Sequence, residues 1–249
     1  MRHVLFPLAA LFALAPTARA DDAADAKALV EKAVTARGDK PDAKPLAQTW
    51  KDKGVFTAMG VKMDYTGDWA FQGPDKYRFA ITGEFGGLKI NITVVVNGEK
   101  AWGNDGGKTE EFTGEKLEYT KNEVYQMWVG TLTPLLTDKG FTLATAKGKD
   151  VGGKPATAVK VTRDKRPALT LYFDKASALL VKTESVVKDE FQKWKEVSDE
   201  AYFEDYKEVG GRKVFTKLRI VRDGKPLIES ALSDQKTAEK LDAKLFEKP

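Results

Sequence analysis

No cysteine occurs in this chain, and its one histidine is His3. Residues 21–249 therefore carry neither a thiol nor an imidazole. That removes the Ser/His/Asp triad, the Cys/His pair, the thiolate nucleophile, the zinc finger and the haem histidine from the chemistry of this part of the chain, and the disulfide from what can hold it together. Blocks of one charge sign are missing as well: 41 Lys and Arg are interspersed with 37 Asp and Glu. Such a surface is solvated and offers no electrostatic footprint for nucleic acid. Past residue 20, no run is long and apolar enough for a transmembrane helix.

The one long apolar run stands at the start. In MRHVLFPLAALFALAPTARA, a basic Arg2 leads into an apolar stretch from Val4 to Ala15, then Pro16 and a small-residue ending at Ala20. That is the order of a secretory signal peptide, and the stretch is too short for a permanent anchor. Cleavage after residue 20 is expected to leave a soluble, exported chain beginning at Asp21. Residue 21 is not Cys, so no lipid is expected there. Loss of Arg2 and Arg19 lowers the formal charge from +4 to +2. Without disulfides, residues 21–249 must be held by a core, and they suffice for one large domain.

Ala26, Leu29, Val30, Ala33 and Val34 have helical spacing, with Gly38 placed as a C-terminal cap. Leu46 and Trp50 are read as a further turn or two of helix. The period then changes to 2. Met63, Tyr65, Trp69 and Phe71 alternate with polar residues, Gly73-Pro74-Asp75 makes a turn, and Tyr77, Phe79 and Ile81 alternate again. Leu88, Ile90, Ile92, Val94 and Val96 lead to Asn97-Gly98, a strong hairpin signal. Leu117 to Leu132 follows a helical stripe, with Pro134 ending or kinking it. Strand patterns then resume to the end, with turns at Gly152-Gly153, Asp174-Lys175, Gly210-Gly211 and Asp223-Gly224. The spacing predicts about ten or eleven strands in a single large antiparallel sheet, which must curl.

Most motifs carry no chemistry. Gly148 to Lys154 meets the first part of a phosphate-loop pattern, but Pro155 replaces the Ser or Thr that would hold Mg²⁺, and no helix follows. Adjacent acids such as Asp189-Glu190 and Asp199-Glu200 point to opposite faces of a strand and cannot share a proton. Glu196, Glu200 and Glu204 fall on one face, which reads as the wet side of a sheet. The sequon Asn91-Ile92-Thr93 lies mid-strand.

The aromatics Trp69, Phe71, Tyr77, Phe79 and Trp102 sit in neighbouring strands beside a helix carrying Tyr125 and Trp128. They read either as an ordinary core under a covering helix or as the walls of an apolar cavity. The second follows because one curled sheet of this length has too few helices to fill its concave side.

Three segments carry a resemblance to a known family. GDWAFQGPDKYRF (Gly67 to Phe79) resembles the strand–turn–strand signature of the periplasmic carriers that sort lipoproteins to the outer membrane, the LolA/LolB-like family with its related envelope lipid binders. VVVNGEKAW (Val94 to Trp102) is similar to the family's hairpin, and AKLFEKP (Ala243 to Pro249) to its closing strand. The resemblance implies a mainly β fold, a single curled antiparallel sheet forming an unclosed β-barrel capped by α-helices. It implies a periplasmic setting and a hydrophobic cavity for the acyl chains of a lipid or lipoprotein, with no catalytic residues, cofactor or metal. On that reading Trp69, Phe71, Tyr77, Phe79, Ile81, Ile90, Ile92, Val94 and Trp102 form the cavity, and Tyr125, Trp128 and Leu132 the lid. The partner expected is a membrane-associated donor or acceptor protein, and the expected state is a monomer. Where the carriers commonly have Arg before the central Pro, this chain has Gly73, so their lid mechanism does not transfer. The rival reading is a non-catalytic envelope sensor or interaction module with a packed core and a partner-binding surface. An enzyme ranks third, since it would need paired carboxylates, Lys or Tyr that the sequence does not bring together.

Overall fold

The structure, a computed structural model, describes residues 20–249. The expected signal peptide lies outside the described residues except for its last, Ala20. Among these, the strands are β1 (Ala47–Ala58), β2 (Val61–Gln72), β3 (Lys76–Phe85), β4 (Leu88–Asn97), β5 (Lys100–Asn104), β6 (Thr109–Glu111), β7 (Phe141–Val151), β8 (Lys154–Arg163), β9 (Leu169–Asp174), β10 (Leu180–Asp189), β11 (Lys195–Val209), β12 (Arg212–Arg222) and β13 (Lys225–Ala238). They pair in one antiparallel sheet of order β6-β5-β4-β3-β2-β1-β13-β12-β11-β10-β9-β8-β7. The edges β6 and β7 do not pair with each other, so the barrel stays unclosed. Helices α1 (Ala20–Arg37), α2 (Gly114–Gly130) and the short α3 (Pro134–Thr137) complete the fold.

The hairpins follow from local chemistry. Gly152-Gly153 and Gly210-Gly211 form two-residue loops with φ of 57° and 77° and of 59° and 78°. Two left-handed residues in succession match the twist of the flanking strands, and glycine adopts them without a Cβ clash. The two halves of the sheet meet where β1 pairs β13, from Ala47 opposite Ala238 to Phe56 opposite Ile228.

The concave face holds the main core. Phe71, Tyr77, Val94 and Val96 come from one half of the sheet, and Val159, Val161, Leu169, Leu171 and Phe173 from the other. Val30 and Val34 of α1 and Val124 and Val129 of α2 pack among them. Each such side chain stabilises the fold by roughly 1.5–3 kcal/mol through loss of hydrated apolar surface. A smaller cluster on the convex face joins Ala70 and Val95 to Phe246, which is 1% exposed. Asn97 Nδ2 donates to the Phe246 carbonyl at 3.1 Å, fixing that segment.

Three expectations change. Trp50 belongs to β1 and not to a helical turn. The run Lys51-Asp52-Lys53 hides its alternation, but pairing with β2 and β13 on both sides holds it extended. The C-terminal segment is not a closing strand: Ala243–Phe246 is a 3₁₀ turn that plugs the convex face. Helix α2 ends by itself at Gly130, and Pro134 begins α3, where its missing N–H costs nothing.

Gly54 sits at the β1–β13 seam, where a Cβ would stand 2.3 Å from the Glu229 carbonyl oxygen and 2.7 Å from Ser230 Cβ. We expect Gly54→Ala to lower stability by about 1–3 kcal/mol through overpacking. Urea denaturation checks this; an unchanged midpoint would mean that the seam has slack.

Candidate ligand cavity

Between the concave face and α2 lies a mostly apolar cavity of about 290 Å³. This is near the lower end of small-molecule sites, which fall at roughly 300–1,000 Å³. It is long. Its lining runs along β12 from Lys213 to Arg222, about 30 Å at roughly 3.3 Å per residue. Phe203, Phe215, Leu218, Ile228 and Leu232 form the wall from β11, β12 and β13, facing Trp50, Trp69 and Phe71 from β1 and β2.

A polar anchor sets the aromatic wall. Asp52 accepts hydrogen bonds from Trp69 Nε1 at 2.7 Å and from the Tyr65 hydroxyl at 2.8 Å. This fixes the Trp69 indole, which stacks on Trp50 at 5.7 Å with an interplanar angle of 4°. Phe79 then meets Trp69 at 5.0 Å and Tyr77 at 5.6 Å. Gly67 makes room for the anchor: a Cβ there would lie 2.4 Å from Asp52 Oδ1 and 2.6 Å from Trp69 Nε1. Burial pushes the Asp52 carboxyl above the ordinary carboxylate range, against the pull of its two donors. Both of its oxygens are engaged, so it is built to position neighbours.

Across the cavity, the Tyr119 hydroxyl donates to Glu123 Oε1 at 2.6 Å. Arg222 reaches the Tyr119 oxygen at 3.5 Å and donates to Asp199 at 2.8 Å. Burial against the apolar wall pushes the Glu123 carboxyl up to about 7, and the charges of Asp199 and Glu190 add to the effect, while Tyr119 and Arg222 oppose it. Among the described residues no group of three His, Cys, Asp or Glu side chains could hold a metal ion.

Of the residues singled out from the sequence, Trp69, Phe71, Tyr77 and Leu132 line the cavity. Phe79 and Ile92 are partly buried against the concave core, and Val94 is buried within it. Ile81 lies across from Gly67, and Ile90 is half-buried opposite Gly83. Trp102 sits on the other face. The loop after β4 is Gly98-Glu99, which puts Ala101 opposite Val96 and turns Trp102 toward the convex cluster of Ala70, Val95 and Phe246. Tyr125 and Trp128 are core contacts of α2 outside the lining. Trp128 lies 5.1 Å from Phe141 of β7, with the Arg163 guanidinium 5.0 Å from its ring, and Tyr125 stacks on Phe141 at 6.3 Å. The face of α2 that looks into the cavity carries Tyr119, Glu123 and Met127. Trp128 also rests on Gly73, where a Cβ would stand 2.5 Å from its Cδ1. The residue before the central Pro is thus a seat for the helix.

No family model matches the sequence, and no curated protein matches it. The fold does have solved counterparts. The LolA superfamily protein NE2245 from Nitrosomonas europaea aligns over 90% of this chain and 97% of its own at 12% identity, with a TM-score of 0.59. A DUF1329 family protein from Desulfovibrio piger aligns over 89% and 97% at 13% identity, with a TM-score of 0.54. A domain from Vibrio parahaemolyticus, named for outer membrane lipoprotein sorting, aligns over 91% and 97% at 10% identity, with a TM-score of 0.56. The chain therefore has a LolA-like fold.

Glu123 gives a pH signature. Its carboxyl holds a proton more tightly in the folded chain than in the unfolded one, where 4.5 is the ordinary value. Between that value and about 7 the folded state binds more protons, so this group's stabilising contribution is lost as pH rises. We expect the thermal stability of the unsubstituted chain, measured relative to Glu123→Gln, to fall as pH rises across that interval. Parallel curves for the two chains would show that Glu123 titrates normally.

Proposed function

We propose that this chain is an exported, soluble, non-catalytic carrier that holds the acyl chains of a lipid or lipoprotein. On this reading residues 1–20 are removed, and residues 21–249 act as one monomeric domain in the periplasm. The observation that carries the proposal is the long apolar cavity between α2 and the concave sheet. The solved domain from Vibrio parahaemolyticus that shares the fold is named for lipoprotein sorting, which supports the same ligand class.

The mechanism follows from area and motion. Each methylene moved from water into the cavity contributes about 0.8 kcal/mol, so even a partly enclosed chain binds usefully. Aromatic and aliphatic walls grip such a chain without demanding one length. Release requires α2 to shift from its seat on Gly73 and Phe141, and a donor, acceptor or membrane that favours the open state supplies the bias.

Native mass spectrometry with organic extraction, on chain purified without detergent from its own host, tests this. A co-purifying acyl-bearing species is expected. A ligand-free mass from a chain that also fails to take up added lipid would overturn the proposal. We further expect Leu218→Glu, which sets a charge in the middle of the wall, to weaken uptake of an apolar fluorescent probe at least about tenfold. Trp69→Ala should also weaken it, by removing the stacked wall. Titration of the probe into each variant checks both.

A further inference from the structure

One end of the cavity carries an excess of positive charge. Arg37, the last residue of α1, and Arg212, the first of β12, both line it, and both also line an adjoining recess of about 90 Å³. The two guanidinium groups converge on a single carboxylate. Arg37 Nε donates to Asp39 Oδ2 at 2.6 Å, and Arg212 donates from Nε to Oδ1 at 2.6 Å and from Nη2 to Oδ2 at 3.0 Å. Arg37 also donates from Nη1 and Nη2 to the carbonyls of Gly130 and Thr131 at the end of α2. Arg212 Nη1 makes no hydrogen bond among the described residues.

Charge does not balance here. Among the described residues Asp39 is the one acidic side chain lining the recess, against Arg37, Arg212 and Lys44, and Lys213 borders the adjoining cavity. Both arginine side chains are only 14% exposed, so water screens the excess weakly. Burial, with the charge of Arg212 adding to it, lowers the proton affinity of Arg37 in spite of Asp39. A planar fork with a free N–H, next to a second cation and at the end of an apolar channel, is a receptor for an anion.

We propose that this end of the cavity binds an anionic group at the head of the ligand, a carboxylate or a phosphate, while its acyl chain runs along the aromatic wall toward Arg222. This rests on the acyl-chain reading of the cavity. It adds a polarity to the bound ligand: the head lies where α1 ends and α2 ends, and the tail beneath Tyr119 and Glu123.

The test uses three ligands with one tail: hexadecanoate, hexadecyl phosphate and hexadecanol, each titrated into the full chain. At least one anion is expected to bind about tenfold or more tightly than the alcohol. The anion that gains identifies the source of the head, fatty acid or phospholipid. Arg212→Gln should bring the anions down to the level of the alcohol, and Arg212→Lys should keep part of the advantage. If the alcohol binds the unsubstituted chain as tightly as both anions, the head site is wrong and the acyl-chain cavity stands. If none of the three binds, the cavity reading falls first. The comparison of heads in the unsubstituted chain holds even where a substitution at Arg212 prevents folding.

Discussion

A single antiparallel sheet of thirteen strands cannot lie flat, because each pair of neighbours adds twist of the same hand, and the sum is a curl. Everything else in this molecule answers the question of what fills the inside of that curl. Among the described residues three α-helices are available, and they are unevenly spent. Helix α1 lies chiefly on β7, and its Val30 and Val34 complete a packed core with β8 and β9. Helix α2 spans the gap, held by Trp128 against Gly73 and Phe141. What remains uncovered is the middle of the sheet, where β1, β2 and β10 to β13 face α2, and that remainder is the cavity.

The polar groups that border the cavity are arranged so that the walls stay apolar. A buried carboxylate without partners costs several kcal/mol. Asp52 is met by two side-chain donors and Asp199 by Arg222, so each is compensated in place. The convex face solves the opposite problem in two ways. Over β2 to β5 it is covered by the Phe246 turn. Over β9 to β12 it is closed by an ion network, in which the buried Lys182 lies 2.6 Å from Glu184 and 2.9 Å from Glu200, with the Tyr202 ring beside its ammonium.

Much of this was legible in the sequence, and the failures have physical causes. Strands β2 to β4 announce themselves because one face is buried and the other wet, so apolar and polar residues alternate. Strand β1 does not, because its inward position 52 is an acid whose burial makes sense only once Tyr65 and Trp69 are seen to bond it. Trp102 was expected with its aromatic neighbours, but across a two-residue loop it pairs with Val95, whose side chain alternates away from Val94 and Val96, so the pairing itself puts it on the convex face. The helical stripe of α2 correctly marks a buried helix. It cannot say which flank faces the void, since Tyr125 and Trp128 bury against the sheet edge while Tyr119 and Met127 look inward. The second half of the wall was missed because Asp205, at φ 54°, breaks the alternation of β11, so that Phe203 and Tyr206 share a face.

The seam between β1 and β13 carries a consequence for timing. Ala47 pairs with Ala238, so nearly the whole described chain must be made before the first strand can meet its partner. Closing so long a loop costs more entropy than any local hairpin, and contacts this distant in sequence are the slow ones. The two half-sheets can form early from hairpins, but the central wall, with Trp50 on one side and Ile228 on the other, exists only after both have docked. The cavity is therefore absent from every partial length of the chain that stops before β13. Under the proposed function, ligand capture would be an act of the finished molecule, never of the nascent one.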